Sequence, residues 1–342
     1  MHASRSITLQ LQRGWQQPGW LNRLVLPVSW IYGGLMWLRR VFFRLGLMRQ
    51  NRLSVPLIVV GNLSVGGTGK TPVVISLVEH LRESGWTPGV IARGYGGNSA
   101  FWPRLLENSD KPDEVGDEPL MIQKRTGGPV AVGPNKLHSA RLLIDQLGCD
   151  IVVSDDGFQH LALARDIDIV VVDGERRFGN GWCLPAGPLR EFKSVLRRAD
   201  MLVVNSPLEN AHLGEHEMEI DYGRLYRLGA EHTTMALTEL SGSRVHAVAA
   251  LGNPDRFFSA LERAGLEVIP HRFPDHHTYT QNEFAFLSSK DVLIMTEKDA
   301  VKCARLKING CIWVLPIQAQ LNDSFYATLE SRLPPRLVNH EN

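Results

Sequence analysis

Val55-Pro-Leu-Ile-Val-Val-Gly-Asn-Leu-Ser-Val-Gly-Gly-Thr-Gly-Lys-Thr71 decides the fold. An apolar run of strand character leads into a glycine-rich loop closed by Gly69-Lys70-Thr71, and a helical pattern follows. Strand, glycine loop and helix in that order make a phosphate-binding loop. Backbone N–H groups of Ser64, Val65, Gly66, Gly67, Thr68 and Gly69 cradle phosphates, Lys70 reaches the β/γ oxygens, and the Thr71 hydroxyl ligates Mg²⁺. The helix N-terminus beneath adds partial positive charge. The strict G-x-x-x-x-G-K-[ST] pattern would place its first glycine at Ser64, so Gly66 and Gly67 supply the backbone freedom instead. Val73, Val74, Leu77, Val78 and Leu81 share one helical face, and Gly85 suits the C-terminal cap. The competing reading is a glycine-rich turn beside a surface lysine.

Working outward, 342 residues suffice for two domains. The chain carries 37 Lys+Arg against 36 Asp+Glu, so overall charge gives no reason to expect nucleic acid as a partner. The distribution is uneven. Met1 to Val78 contains no Asp or Glu, whereas Arg5, Arg13, Arg23, Arg39, Arg40, Arg44, Arg49 and Arg52 all fall there. Such asymmetry points to an anionic surface. Leu24 to Leu38 is an uncharged run flanked by arginines, and as a helix spans only about 22 Å, short of the roughly 30 Å hydrocarbon core. With Trp30, Trp37, Phe42 and Phe43 beside it, it reads as a helix lying in the headgroup region. A core helix and a signal peptide are the alternatives, the second opposed by the lack of a small-residue cleavage site. Cys149, Cys183, Cys303 and Cys311 lack C-x-x-C spacing, which gives neither a zinc site nor a disulfide framework.

Gly89–Ala92, Ile151–Ser154, Ile167–Asp173 and Met201–Asn205 read as further strands, with a helix over Pro134–Leu147. Strands alternating with helices predict an α/β fold whose parallel sheet is covered by helices on both faces, with its site beyond the carboxyl ends of the strands. The loops after Val60, Ala92, Val153 and Val172 should converge there. A second, smaller α/β domain follows, with strands at Val245–Leu251 and Val292–Met295. The expected division is a membrane-associated segment over residues 1–50, a phosphate-loop domain over 51–215, and the smaller domain over 216–342.

Several residues suit phosphoryl transfer. Asp155 and Asp156 end a buried strand, where a carboxylate organises Mg²⁺, and two adjacent carboxylates need a cation or donors to offset their repulsion. An Asp capping a turn before Gly157 is the alternative for either one, and a poor account of both together. Asp117 and Glu118 sit in an expected acidic loop, Asp113–Pro119; a carboxylate near an acceptor hydroxyl takes its proton, although taken alone a solvated acidic loop is the better account. Asp275-His276-His277 suits acid–base work, half a metal site, or an exposed loop. Arg190, in the Gly/Pro-rich loop Gly179–Glu191, suits phosphate neutralisation, as does Arg93, and either suits a structural ion pair. A guanine-nucleotide switch is the rival function, but Thr296-Glu-Lys-Asp299 carries one residue too many for an Asn/Thr-Lys-x-Asp base-reading motif. A membrane-surface ATPase leaves Asp117 and Asp275-His276 unexplained.

Val60–Pro72, Arg93-Gly-Tyr-Gly96, Gly116-Asp-Glu-Pro119, Asp155-Asp-Gly-Phe-Gln-His160, Leu184–Glu191, Asp275-His276 and Thr296–Asp299 together closely resemble the tetraacyldisaccharide 4′-kinases of lipid A biosynthesis. In that family Ser64 is no departure. The resemblance spans roughly residues 20–320 and implies a P-loop NTPase fold with closure of the smaller domain over ATP. It implies ATP-dependent phosphorylation of the 4′-hydroxyl of an acylated glucosamine disaccharide 1-phosphate at the cytoplasmic face of a Gram-negative inner membrane. No nucleic acid and no obligate protein partner are implied. It assigns Asp117 as the base, His276 as its partner, Lys70 and Arg190 as stabilisers of the transferring phosphoryl group, and Thr71, Glu118, Asp155 and Asp156 as the Mg²⁺ group.

Overall fold

The computed structural model describes residues 11–206 and 214–335. Arg5, residues 207–213 near the expected boundary, and residues 336–342 lie outside the described residues.

The larger sheet begins with β1 (Leu57–Gly61), β2 (Pro88–Ala92), β3 (Arg104–Leu105), β4 (Val130–Val132), β5 (Ile151–Ser154), β6 (Ile167–Asp173), β7 (Met201–Asn205) and β8 (Glu215–Tyr222). Strands β8-β7-β6-β1-β5-β2-β4 run parallel in that spatial order, with β3 antiparallel at one edge. The run at 57–60 is continuously apolar because both faces are covered. Ile58 and Val60 pack with Val73, Val74 and Leu77 on one side, and Leu57 and Val59 with Leu143 and Cys149 on the other. The helix Lys70–Glu83 buries all five residues of its expected apolar face, and Gly85 follows at φ 85°, where the left-handed conformation ends a helix without a Cβ penalty.

The smaller sheet contains β9 (Leu225–Arg227), β10 (Ala230–Met235), β11 (Arg244–Ala249), β12 (Glu267–Arg272), β13 (Val292–Thr296) and β14 (Cys311–Leu315), in the order β10-β9-β14-β13-β11-β12. Its faces are again both apolar: Ala247 and Ala249 point into one cluster, Val248 and Ala250 into another. The chain then returns to the larger sheet. β15 (Ile317–Leu321) pairs antiparallel with β8, and the helix Asp323–Arg332 buries Phe325 and Leu329 among the residues under β1. By sheet membership, therefore, the smaller unit runs from 225 to 315 rather than from 216 to the C-terminus. The two chain crossings meet, Gly223 N–H donating to the Pro316 carbonyl at 3.1 Å.

The acidic stretch expected as a loop is helical instead. Pro112–Val115 and Asp117–Thr126 are helices hinged at Gly116, whose φ is 93°. Asp117 and Glu118 occupy the first turn of the second, where the helix dipole favours negative charge, and Pro119 fits there because first-turn N–H groups need no intrahelical partner.

Near the N-terminus, helices Trp20–Leu24 and Leu26–Arg44 lie on the larger unit. The second docks through Ser29, Gly33, Arg40 and Phe43, which are buried. Arg40 pairs with Glu191, Nη2 reaching Oε1 at 3.1 Å, and its guanidinium stands 4.8 Å from the Phe158 ring centroid. Trp30, Ile31, Leu35 and Trp37 face outward, Trp30 being 63% exposed. No helix among the described residues is long and apolar enough to cross a membrane. All four cysteines are free.

Candidate active site

Because β1, β5, β2 and β6 are parallel neighbours, the loops that leave their carboxyl ends gather at one rim of the sheet. The loop from Asn62 to Gly69 turns through Gly66 and Gly69 at φ 108° and 92°, conformations that a Cβ would strain. Three side chains hold its carbonyls. Asn62 Nδ2 donates to the carbonyls of Ser64 (2.7 Å) and Gly66 (3.3 Å), Arg176 to that of Gly67, and Asn205 Nδ2 to that of Thr68 (3.1 Å). The loop is also zipped to residues 184–191: Val65 N–H donates to the Pro188 carbonyl at 2.9 Å and Arg190 N–H to that of Leu63 at 2.8 Å.

Lys70 Nζ lies 3.5 Å from Asp156 Oδ1, and Arg190 Nη1 lies 3.3 Å from Asp156 Oδ2. Asp156 adopts φ 47° in the turn after β5. Burial raises its carboxyl, but Lys70 and Arg190 outweigh burial and hold it below the usual range. Its neighbour Asp155 behaves oppositely: burial, with Glu118 adding like charge, pushes it up. Asp155 Oδ1 and Thr68 Oγ1 are buried with no hydrogen-bond partner among the described residues. Lys136, buried beneath this turn, donates to Ser154 Oγ at 2.9 Å, to the Asp155 carbonyl, and to that of Asp156 at 3.1 Å.

A second group gathers around Asp117, near enough that Glu118 acts on Asp155. His276 Nδ1 stands 3.2 Å from Asp117 Oδ2, and the Glu118 N–H donates to Asp117 Oδ1 at 3.0 Å. Asp117 is buried, which raises its carboxyl; the His276 hydrogen bond and the charges of Lys298 and Lys302 win, and the carboxyl sits below its usual range. The same hydrogen bond raises His276. His277 instead bonds Glu283 at 2.8 Å, so the structure brings His276 and not His277 to Asp117. Lys298 Nζ bridges Glu118 (3.2 Å) and Asp275 (3.1 Å), and Lys302 Nζ is 3.8 Å from Asp117. Of the residues singled out in the sequence, Lys70, Asp156 and Arg190 form one contact group, and Asp117 and Glu118 at a helix start form another with His276.

Lys136, Arg176, Asn205, Lys298 and Lys302 were not found from sequence. Asn205 does end a predicted strand, and Lys298 lies in the quoted Thr296–Asp299 motif, so position at a strand end was the available signal. Asp299 is fully buried and accepts bonds from Tyr279 Oη (3.0 Å) and the Ala250 N–H (3.1 Å), which removes it as a reader of guanine.

A model of the tetraacyldisaccharide-1-P 4′-kinase family matches residues 21–334. The tetraacyldisaccharide 4′-kinase of Methylobacillus flagellatus is 47% identical over 98% of this chain and 99% of its own. That of Alkalilimnicola ehrlichii is 47% identical over 92% and 94%. A crystal structure described as the "apo" form of LpxK from Aquifex aeolicus in complex with ATP covers 92% of this chain and 100% of its own, with a TM-score of 0.78 and 26% identity. With that coverage, and with a phosphate loop facing an Asp–His pair, the chain belongs to the tetraacyldisaccharide 4′-kinase family.

Proposed function

We propose that this kinase transfers the γ-phosphoryl group of ATP to the 4′-hydroxyl of its tetraacyldisaccharide 1-phosphate with Asp117 as base and His276 as the partner that orients it. The observation that carries the assignment is the 3.2 Å contact between the buried Asp117 carboxylate and His276 Nδ1, made between a helix of the larger unit and a loop of the smaller one. The hydroxyl proton passes to the Asp117 carboxylate as the 4′-oxygen bonds to the γ-phosphorus, and the bond to the β,γ-bridging oxygen breaks to release ADP. His276, its positive charge favoured by the hydrogen bond, holds Asp117 in one orientation. Residues Ser64–Thr71 cradle the triphosphate, and Lys70 and Arg190 offset charge on the group in transit.

The donor set fits Mg²⁺. Asp155 Oδ1 is buried without a partner among the described residues, and the nearby charges of Glu118 and Asp156 oppose the ionisation of Asp155, a cost that a divalent cation reverses. Thr71, Glu118 and Asp156 would hold it, with Asp155 in support. Among the described residues no three acidic, His or Cys side chains form a ready cage, which suits an ion held by one or two carboxylates together with substrate phosphates. When bound, Mg²⁺ neutralises charge on the phosphate oxygens.

The enzyme works as a peripheral protein at the cytoplasmic face of the inner membrane. Supporting this, helix Leu26–Arg44 docks by Ser29, Gly33, Arg40 and Phe43 while turning most of its large apolar side chains outward, Trp30, Ile31, Leu35 and Trp37 among them, which a helix wholly in water would not favour. Arginines on and around it suit anionic headgroups.

The test is incubation of the purified protein with Mg²⁺, γ-labelled ATP and detergent-dispersed disaccharide 1-phosphate. Label at the 4′-position, lost in Lys70→Ala and in Asp117→Asn, is expected. Turnover by Asp117→Asn near the wild-type rate would remove the base assignment.

A further inference from the structure

Asp173 ends β6, and its buried carboxylate carries two guanidinium groups from different units. The N–H groups of Glu175 (3.2 Å) and Arg176 (2.9 Å) fix it in place by donating to Oδ1. Arg176 donates to Asp173 Oδ2 at 3.0 Å and, from the same Nη2, to the Gly67 carbonyl of the phosphate loop. Arg256, in the first turn of helix Asp255–Arg263 of the smaller unit, reaches both Asp173 oxygens at 3.4 Å and Glu175 Oε2 at 3.0 Å. Ahead of that helix, Gly252 brings the smaller unit to the loop itself: a Cβ there would stand 3.8 Å from the Gly67 nitrogen.

We propose that Arg256, Asp173 and Arg176 form a relay through which the position of the smaller unit sets the Gly67–Thr68 peptide, and with it the affinity of the loop for a triphosphate. In a trans peptide the carbonyl and the following N–H point in opposite directions. A donor on the Gly67 carbonyl therefore turns the Thr68 N–H to the other side of the loop, just as Asn205 on the Thr68 carbonyl turns the Gly69 N–H. Successive N–H groups aimed to one side make an anion nest. Asn62 and Asn205 belong wholly to the larger unit, so their clamps do not sense the smaller one. Arg176 differs, because its anchor is shared. While Arg256 neutralises Asp173, Arg176 divides its donors between Asp173 and the loop. When the smaller unit withdraws Arg256, the buried carboxylate keeps Arg176 as its partner, and a bidentate Arg–carboxylate pair competes with the single bond to Gly67. Arg176 and Arg256 are thus positioning residues, acting on nucleotide affinity through a peptide plane.

The relay rests on the kinase reading, since it requires ATP in this loop. The experiment measures Kd for a nonhydrolysable ATP analogue with Mg²⁺, by calorimetry on the full chain in detergent, for wild type, Lys70→Ala, Arg176→Met, Arg256→Met and the double variant. Arg176→Met is expected to weaken binding about tenfold, the scale of a hydrogen bond to a charged group. Arg256→Met is expected to weaken it about threefold or more in the same direction, and the double variant to bind no more weakly than Arg176→Met alone. KM for ATP should rise in parallel while kcat at saturating ATP changes by less than about twofold, a split that general destabilisation would not give. Arg256→Lys, which keeps the charge and loses the fork, serves where the Met variant does not fold and should fall between wild type and Arg256→Met. Unchanged affinity in Arg256→Met or Arg256→Lys, or losses that multiply in the double variant, overturns the relay while leaving the kinase intact. A wild-type protein that does not bind the analogue overturns the kinase reading beneath it.

Discussion

Removing the Arg40 guanidinium should unseat the N-terminal helix from the active-site loop. Glu191 is 2% exposed and Arg40 9% exposed, so the pair is desolvated, and Glu191 directly follows Arg190. Arg40→Met keeps most of the side-chain volume but strands the Glu191 carboxylate in a buried site. It also removes the bond from Nη2 to the Phe158 carbonyl and the contact with the Phe158 ring. Stranding one partner of a buried ion pair costs about 3–5 kcal/mol, whereas replacing both by apolar groups is often close to neutral. At about 2–4 °C per kcal/mol for a unit of this size, Arg40→Met should lower Tm by about 6–20 °C. Arg40→Met/Glu191→Met should recover most of that loss. Thermal unfolding followed by circular dichroism in detergent, with all three proteins at equal concentration, makes the comparison. The reasoning is refuted if Arg40→Met melts within about 2 °C of wild type, or if the double variant is less stable than the single one.

Other outcomes follow from the site. Asp117→Asn should cut kcat by about 10²–10⁴-fold, the usual scale of general-base catalysis, with Kd for ATP unchanged, as single-turnover and binding assays would show. The Asp117–His276 pair should leave a signature in stability against pH. Asp117 is depressed from 3.8, so its contribution is present above that value and is lost as pH falls through the folded one. His276 is raised from 6.5, so its contribution is complete below 6.5 and is lost as pH rises through the folded value. The Tm difference between wild type and His276→Gln should then be largest between pH 3.8 and 6.5 and shrink above, and a difference growing at alkaline pH would contradict the pairing. Trp30→Ser/Trp37→Ser should reduce partition into anionic vesicles roughly tenfold or more, in keeping with the loss of two large apolar side chains, and leave Tm nearly unchanged because both residues face outward.

The phosphate loop and its helix were legible because their function is written in local backbone chemistry. Glycines supply φ above zero, Lys70 and Thr71 occupy fixed offsets, and Val73 to Leu81 keep helical period. Asp117 and Glu118 were placed in the right region but in the wrong element. Acidic residues before a proline suit a loop and a helix N-terminus equally, and only Gly116 at φ 93° decides between them. His276 was distinguishable from His277 by motif alone, since both are exposed enough to pair with any nearby acid until the loop is folded. Lys302 and Arg176 left no local trace, and Lys298 and Asn205 only a place at a strand end that names no partner: Lys298 meets Glu118 across 180 residues and Asn205 meets Thr68 across 137. The return of β15 to the larger sheet was hidden for the same reason, because its partner β8 lies about a hundred residues earlier and nothing in Ile317–Leu321 names it.

The contact between Gly223 and Pro316 has a mechanical meaning. The chain leaves the larger unit once and returns once, and the two passages touch, so they bend as one ribbon continuous with the paired strands β8 and β15. Hinges sit at such element-terminal residues, so the ribbon is the place where the smaller unit would bend relative to the larger one. Bending there would open the Asp117–His276 and Asp173–Arg256 contacts together, along with the Arg125–Glu297 and Lys298–Glu118 pairs that also join the units. On the proposals above, catalytic alignment and nucleotide grip would then change with the same angle, and a reporter pair placed on the two units would read both.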